Sequence, residues 1–534
     1  MTSLTWAEQV AAASTGSIPR QVGAIPVVYP LLERLHVRQI INSLATTGAE
    51  IDLGRVVELL TLNRLLAPRP LNHVGEWVKQ TVVATMFGLE ESQLYDQRFG
   101  RALDDLQPIL AEAWVELVSQ AVQQEKLDLE VLHWDTTSIY LEGAYEVSDL
   151  AAYGHSSDKL SDHKQVKIGL DVTSRERIPL LYWLLSGHRA DTTTPVPNLY
   201  RIATFLQRPE CAGLTPRPLV VGDCKMITPA AVAAAHRHHL YYLVPWEADN
   251  TVKAVIRSVS QQEWLTSELD YRPQRHVPAA SPFIPYRGVW RPFPVEYDGQ
   301  VYHDRALVVW TAGKERLDAD KRKYYLKKLL NRLAEIKKRL NTGRYIRREF
   351  TAHQIALAKR GNSAQDLVQT ELTGTDRHLK LTFAIDRSAL AQAQALDGKY
   401  LLGTNAPNLS AAKTLTLFKA QDGVEKSNRT LKGPLLIRPI YLHSDQRIES
   451  LVFIILLALL IRALLQIRCQ RAGLAVSTDQ LLAGFGPLAA TELSFVDGSH
   501  FCQLGNLTPF QRQVLATLQV PSPSRYLTEL QPDS

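Results

Sequence analysis

Residues 127–140 read LDLEVLHWDTTSIY, and their alternation places Leu127, Leu129, Val131, His133 and Asp135 on one face of an extended strand that ends in a carboxylate. Two more β-rich runs follow, KQVKIGLDVTS at 164–174 and RIPLLYWLLSG at 177–187. The short link between them predicts an antiparallel pair. A helix is expected from Thr194 and Pro195 past Phe205, since proline is tolerated in a first helical turn. PLVVGD at 218–223 then reads as a buried strand delivering Asp223. Thr228 is a good N-cap for PAAVAAAHRHH, and HLYYLVP returns as a strand. The order βββαβαβ predicts an α/β fold.

Outward from this stretch the texture changes on both sides. Residues 1–125 are expected to form a helical N-terminal domain, because Leu53, Val56 and Leu60 repeat at helical spacing until Pro68 and Pro70 break the pattern. Residues 126–249 form the first part of a core. Residues 250–395, polar, Pro-rich and basic, read as an insertion. Within it, 321–340 is an amphipathic helix with Leu326, Leu330, Leu333, Ile336 and Leu340 as its apolar stripe. Residues 396–468 resume the core with a strand in GKYLLGTN, a helix over 415–431 and a long apolar helix over 448–467. The remainder, 469–534, reads as a peripheral C-terminal segment.

At 534 residues with 45% hydrophobic and 21% charged side chains, the chain has the composition of a folded protein of several domains. The net charge of +6 is concentrated: residues 314–349 carry 14 Lys/Arg against 5 Asp/Glu, a local +9 that leaves about −3 elsewhere. Only four cysteines occur and none forms a CxxC pair, which points away from a disulfide framework or a zinc site. The N-terminus lacks a basic region followed by an apolar core, so a cytoplasmic location is expected. The apolar run 451–461 is 11 residues, short of the roughly 18–20 needed to span a bilayer, and reads as a buried helix.

Transfer of a phosphodiester with two hard cations calls for carboxylates converging from separate elements. Asp135, Asp223 and Glu425 have suitable placements. Taken singly, each has a plainer reading: strand-end aspartates often cap turns, and Glu425 with Arg429 is an ordinary i,i+4 pair. Glu425, Arg429 and Lys432 share one helix face in LFKAQDGVEKSNRTLKGP (417–434).

Several motifs, in order, resemble the DDE transposases of bacterial insertion sequences, in the group whose third acid lies in a Tyr-x2-Arg-x3-Glu-x6-Lys signature. They are WDTTSIY at 134–140, GHSSDKLSDHKQVKIGL at 154–170, VVGD at 220–223 and DGKYLLGTN at 397–405. Glu425 and Lys432 match the signature, while Phe418 stands at its Tyr and Gln421 at its Arg. The resemblance runs from about residue 20 to 468. It implies a ribonuclease-H-like core, a mixed five-stranded sheet with flanking helices interrupted by an insertion domain. Asp135, Asp223 and Glu425 would hold two Mg²⁺ ions, with Mn²⁺ as a substitute.

The implied activity is cleavage of transposon ends and strand transfer into target DNA. Lys432 would hold a DNA phosphate near the cut, with Lys419 or Arg429 standing in for the absent Arg. Lys327, Lys328 and Arg332 on the basic helix are candidate phosphate contacts, with a solvated amphipathic face as the plainer alternative. Trp290 is a candidate for stacking on an extruded base, against simple packing. A homodimer on paired ends is implied, and no membrane partner. The competing functions are a nuclease of the same fold that does not join strands, and a retired transposase kept as a DNA-binding protein.

Overall fold

The structure is a computed structural model that describes residues 14–45, 47–154, 162–211, 217–271, 285–495 and 500–530. Residues 155–161 of the GHSSDKL stretch lie outside the described residues. The chain forms two compact units. The first comprises the chain to Val221, His238–Leu240 and everything from Ala420; the second comprises Gly222–Arg237 and Tyr241–Lys419.

The first unit opens with strand β1 (Ser14–Gln21) and continues as helices α1 (Ile25–Arg34), α2 (Val37–Leu44), α3 (Leu53–Leu66), α4 (Asp96–Leu106) and α5 (Leu110–Glu125). Asp52 starts α3 by accepting the Arg55 amide, and the helix stops ahead of Pro68. Strands β2 (Val131–Tyr140), β3 (Gln165–Thr173) and β4 (Pro179–Ser186) then pair antiparallel in sequence. Helix α6 (Pro195–Leu206) follows with Pro195 in its first turn, and the short β5 (Leu219–Val221) lies parallel to β2. The sheet in this unit is therefore mixed, in the order β4-β3-β2-β5.

Helices cover both faces of that sheet. On one face Asn198 of α6 reaches Asp171 of β3, and on the other Trp114 of α5 packs edge-on against Tyr182 of β4. Gly169 of β3 lies directly under the Trp134 indole, where an added Cβ would fall 2.0 Å from the ring. Asp135 was expected to end its strand. The strand instead runs on to Tyr140, because Thr137, Ser138 and Ile139 keep pairing with β3.

The second unit begins with helix α7 (Pro229–Arg237), whose first turn is capped by Thr228 accepting the Ala231 amide. Its strands are β6 (Tyr241–Trp246), β7 (Glu268–Leu269), β8 (Tyr286–Tyr297) and β9 (Gln300–Thr311). They are followed by α8 (Ala312–Arg339), α9 (Arg348–Lys359), β10 (Val368–Thr373), β11 (Lys380–Ile385), β12 (Lys399–Thr404) and α10 (Ala411–Lys419). Strand β12 sits between β6 and β9, all antiparallel, and β9 pairs β8 in a long hairpin. Part of the expected insertion thus flanks the resumed core strand instead of standing apart from it. Asp298 and Gly299, both at positive φ, turn the hairpin.

Helix α8 is longer than the 20 residues expected, and the centre of its buried stripe is Leu329, Leu333 and Ile336. These pack with Ile355 of α9, Val368 of β10 and Leu381 of β11 in a small core of their own, with Leu326, Leu330 and Leu340 at its margin.

At Ala420 the chain re-enters the first unit and forms α11 (Asp422–Lys432) and α12 (Asp445–Arg471). The single helix expected over 415–431 is therefore two, α10 and α11. By length and apolarity α12 could cross a membrane, yet 83% of its apolar window is buried inside the protein, the trait of a core helix. Each of its fully buried Leu, Ile, Val and Phe side chains contributes about 1.5–3 kcal/mol. Arg468 and Arg471 of α12 both clamp Glu125 at the end of α5.

The expected peripheral tail instead builds α13 (Thr478–Phe485), β13 (Ala489–Phe495), β14 (His500–Leu504) and α14 (Pro509–Leu518). Strand β13 lies between β1 and β14, antiparallel to both, and Phe485 and Tyr526 are fully buried.

Candidate active site

Asp135 sits mid-way along β2, two residues beyond His133, the last β2 residue paired with β5. Its Oδ1 accepts the Thr136 amide at 2.8 Å and its Oδ2 accepts Nδ2 of Asn428 at 3.0 Å. Asn428 lies on α11, one turn beyond Glu425, so the i,i+3 spacing puts both on one helix face. Helix α11 packs on β2 and β3, and the strand of the first acid and the helix of the third are brought together inside one unit. Glu425 itself is exposed, as is Arg429, while Lys432 is half-buried.

The buried end of this contact is under-satisfied. Oδ1 of Asn428 is buried and has no hydrogen-bond partner among the described residues. A lone-pair oxygen left so beside a carboxylate is the kind of hard donor that suits a divalent cation or its water. His133, on the same face of β2 as Asp135, is held neutral by burial, which pushes its pKa down to about 4, and its Nε2 lies 2.9 Å from Ser174 Oγ. On the opposite face, Lys167 of β3 holds Asp191 at 2.9 Å, and Thr136 Oγ1 donates to the same oxygen at 3.3 Å.

Asp223 lies in the second unit, where it caps the 3₁₀ turn Cys224–Met226 by accepting the Lys225 amide at 2.9 Å. The three acids therefore do not fall within a single unit. Among the described residues no group of three or more His, Cys, Asp or Glu side chains stands ready to hold a metal ion. Carboxylate and amide oxygens are hard donors of the kind a divalent cation takes, and within the first unit Asp135, Glu425 and the orphaned Asn428 oxygen are of that type.

The remaining candidates belong to the second unit. Lys419 ends α10, and its ammonium lies 5.6–5.9 Å from the rings of Tyr286, Tyr400 and Phe418, where desolvation lowers its pKa. Phe418 thus serves as one wall of an aromatic cage. Trp290 is half-buried on β8, and one face of its ring is taken by the Arg305 guanidinium at 3.9 Å. Lys327, Lys328 and Arg332 project from the exposed face of α8.

A domain of unknown function, DUF4277, matches residues 19–130. No curated protein matches the sequence. Among solved structures, a piggyBac transposase synaptic complex with hairpin DNA is similar at 8% identity over 88% of this chain and 82% of that one, with a TM-score of 0.41. A Mos1 transposase paired-end complex with the left transposon end matches 37% of this chain and 60% of its own at 10% identity, with a TM-score of 0.16. A Mos1 mariner paired-end complex with Mn covers 35% and 57% at 12% identity, also with a TM-score of 0.16.

Asn428 is the residue that the sequence did not single out. Its only local signal is the i,i+3 spacing from Glu425, because its partner lies 293 positions away along the chain.

Proposed function

We propose that the chain is a DNA transposase of the DDE type, with Asp135, Asp223 and Glu425 as its metal-binding carboxylates. One observation carries the reading: the amide of Asn428 grips the Asp135 carboxylate from the helix that presents Glu425 a turn earlier. The motif order in the sequence and the mixed β4-β3-β2-β5 sheet support a ribonuclease-H-like core around that contact.

Bound Mg²⁺ would supply an activated water or 3′-hydroxyl nucleophile and would steady the leaving oxygen. The protein supplies orientation and charge. Asn428 and the Thr136 amide help to hold the orientation of the Asp135 carboxylate. Arg429 and Lys432, at i+4 and i+7 from Glu425, would meet DNA phosphates, and the exposed cations of α8 would be further phosphate contacts. Paired ends would be held by a homodimer.

Asp135→Asn, Asp223→Asn and Glu425→Gln should each bind end DNA but fail to nick it. Normal nicking by any one of them removes that residue from the site. Precut ends added to a second DNA then separate a transposase from a nuclease, because only the former joins the 3′-end to the target.

A further inference from the structure

The first unit holds a cavity of about 480 Å³ between the end of α3, the start of α4, the 436–442 loop and α12. Aliphatic and prolyl side chains make most of its wall, among them Pro68, Pro70, Leu71, Ile437 and Pro439. Arg64, on the last turn of α3, also lines it. Its side chain is 8% exposed, and burial alone acts on it, lowering its pKa to about 10 with no carboxylate or hydrogen-bond partner contributing. It is therefore a cation at neutral pH without a counter-charge among the described residues.

A buried, unpaired guanidinium is costly, and folded chains normally pair one. This unit does so elsewhere: Arg462, equally buried, is held by Asp479, and Arg38 by Asp52. The pocket's other charges do not neutralise Arg64. Arg447 is engaged by Asp104 at 2.7–2.8 Å, Arg69 and Arg438 add positive charge, and Asp96, the only carboxylate among the described wall residues, exerts no influence on Arg64.

We propose that this pocket binds a nucleotide, with the Arg64 guanidinium as the buried counter-charge of its phosphate. A planar donor fork matches phosphate oxygens in pairs. The apolar walls and Tyr441 suit a flat heterocycle, and the Asn72 and Gln97 amides suit its polar edge. The cavity falls in the volume range of small-ligand sites. The nucleotide is either free or the 5′-terminal residue of a DNA strand. The pocket does not depend on the three carboxylates assigned above.

Calorimetric titration of the full chain with dAMP, with inorganic phosphate, and with a short single strand carrying or lacking a 5′-phosphate tests this. Binding of dAMP or of the 5′-phosphorylated strand is expected to weaken about tenfold or more in Arg64→Met, with Arg64→Lys between the two. Without ligand the Arg64→Met protein should melt no lower than the parent, since it loses an uncompensated buried charge. Preference for dAMP identifies a free nucleotide, and preference for the phosphorylated strand identifies a DNA end. The proposal is overturned if no phosphate compound binds, if Arg64→Met binds as well as the parent, if inorganic phosphate binds as tightly as dAMP, or if Arg64→Met melts lower. Carboxylate variants that fail to nick while still binding dAMP leave the pocket standing, and the reverse outcome leaves the transposase reading standing.

Discussion

Asn428 separates the orienting of the Asp135 carboxylate from the ligand role proposed for it. Removing a donor that holds a metal-binding acid commonly costs 10–100-fold in activity or metal affinity. Asn428→Ala is therefore expected to slow nicking by about that factor while end-DNA binding stays near the parent level. Single-turnover nicking beside filter binding measures both, and an unchanged nicking rate would show the bridge to Asp135 to be idle. Asp171 supports a second prediction. Full burial, against the Asn198 amide and the more distant Arg201, raises its pKa to about 8. The folded state thus favours the protonated acid, so its stability is fully present below the unfolded value near 4 and is lost as pH rises toward 8. Asp171→Asn mimics the neutral acid, and its melting advantage over the parent should grow from pH 4 to pH 8. A gap that stays constant with pH would count against a protonated Asp171. Motif spacing names the proposed acids, whereas Asn428 acquires its contact only by meeting a distant strand.

Element boundaries were harder to read than element types. The β2 strand is longer than its apolar alternation suggests because Thr136, Thr137 and Ser138 are polar but continue to pair with β3. The break between α10 and α11 at Ala420 and Gln421 carries no proline to announce it. The β8–β9 hairpin does carry a signal, the Asp298-Gly299 pair, inside a stretch whose polar, Pro-rich texture reads as an insertion. For α8 apolar spacing indicates length and stripe only approximately, but its cationic face is exposed as expected. Replacing Lys327, Lys328 and Arg332 with Gln should reduce the slope of log affinity against log salt by about 2.7, at about 0.9 per lost phosphate contact. An unaltered slope would return the helix to a merely solvated face.

At the scale of the whole molecule, the chain leaves its first unit at Val221 and returns to it at Ala420. Apolar periodicity could not reveal this, since each segment of the first unit has ordinary local texture and the unit closes only through distant pairings. The tail is the clearest case: its prolines suggest a loose end, yet β13 completes the sheet begun by β1. Truncation before Ala489 should therefore destabilise the first unit and leave the β1 edge unpaired. Increased dye binding and a lower urea midpoint are expected, and an unchanged midpoint would show the strand pairing to be dispensable.

That pairing also sets a timetable for synthesis. Strand β1 leaves the ribosome well before its partner residues 489–495, which follow more than 450 positions later. At about 5–20 residues per second the wait is roughly 25–95 s. The enclosed unit, complete by Lys419, can settle during that interval, so the nascent first strand must be shielded, by solvent-facing polarity or a holding chaperone, until residues 489–495 have emerged.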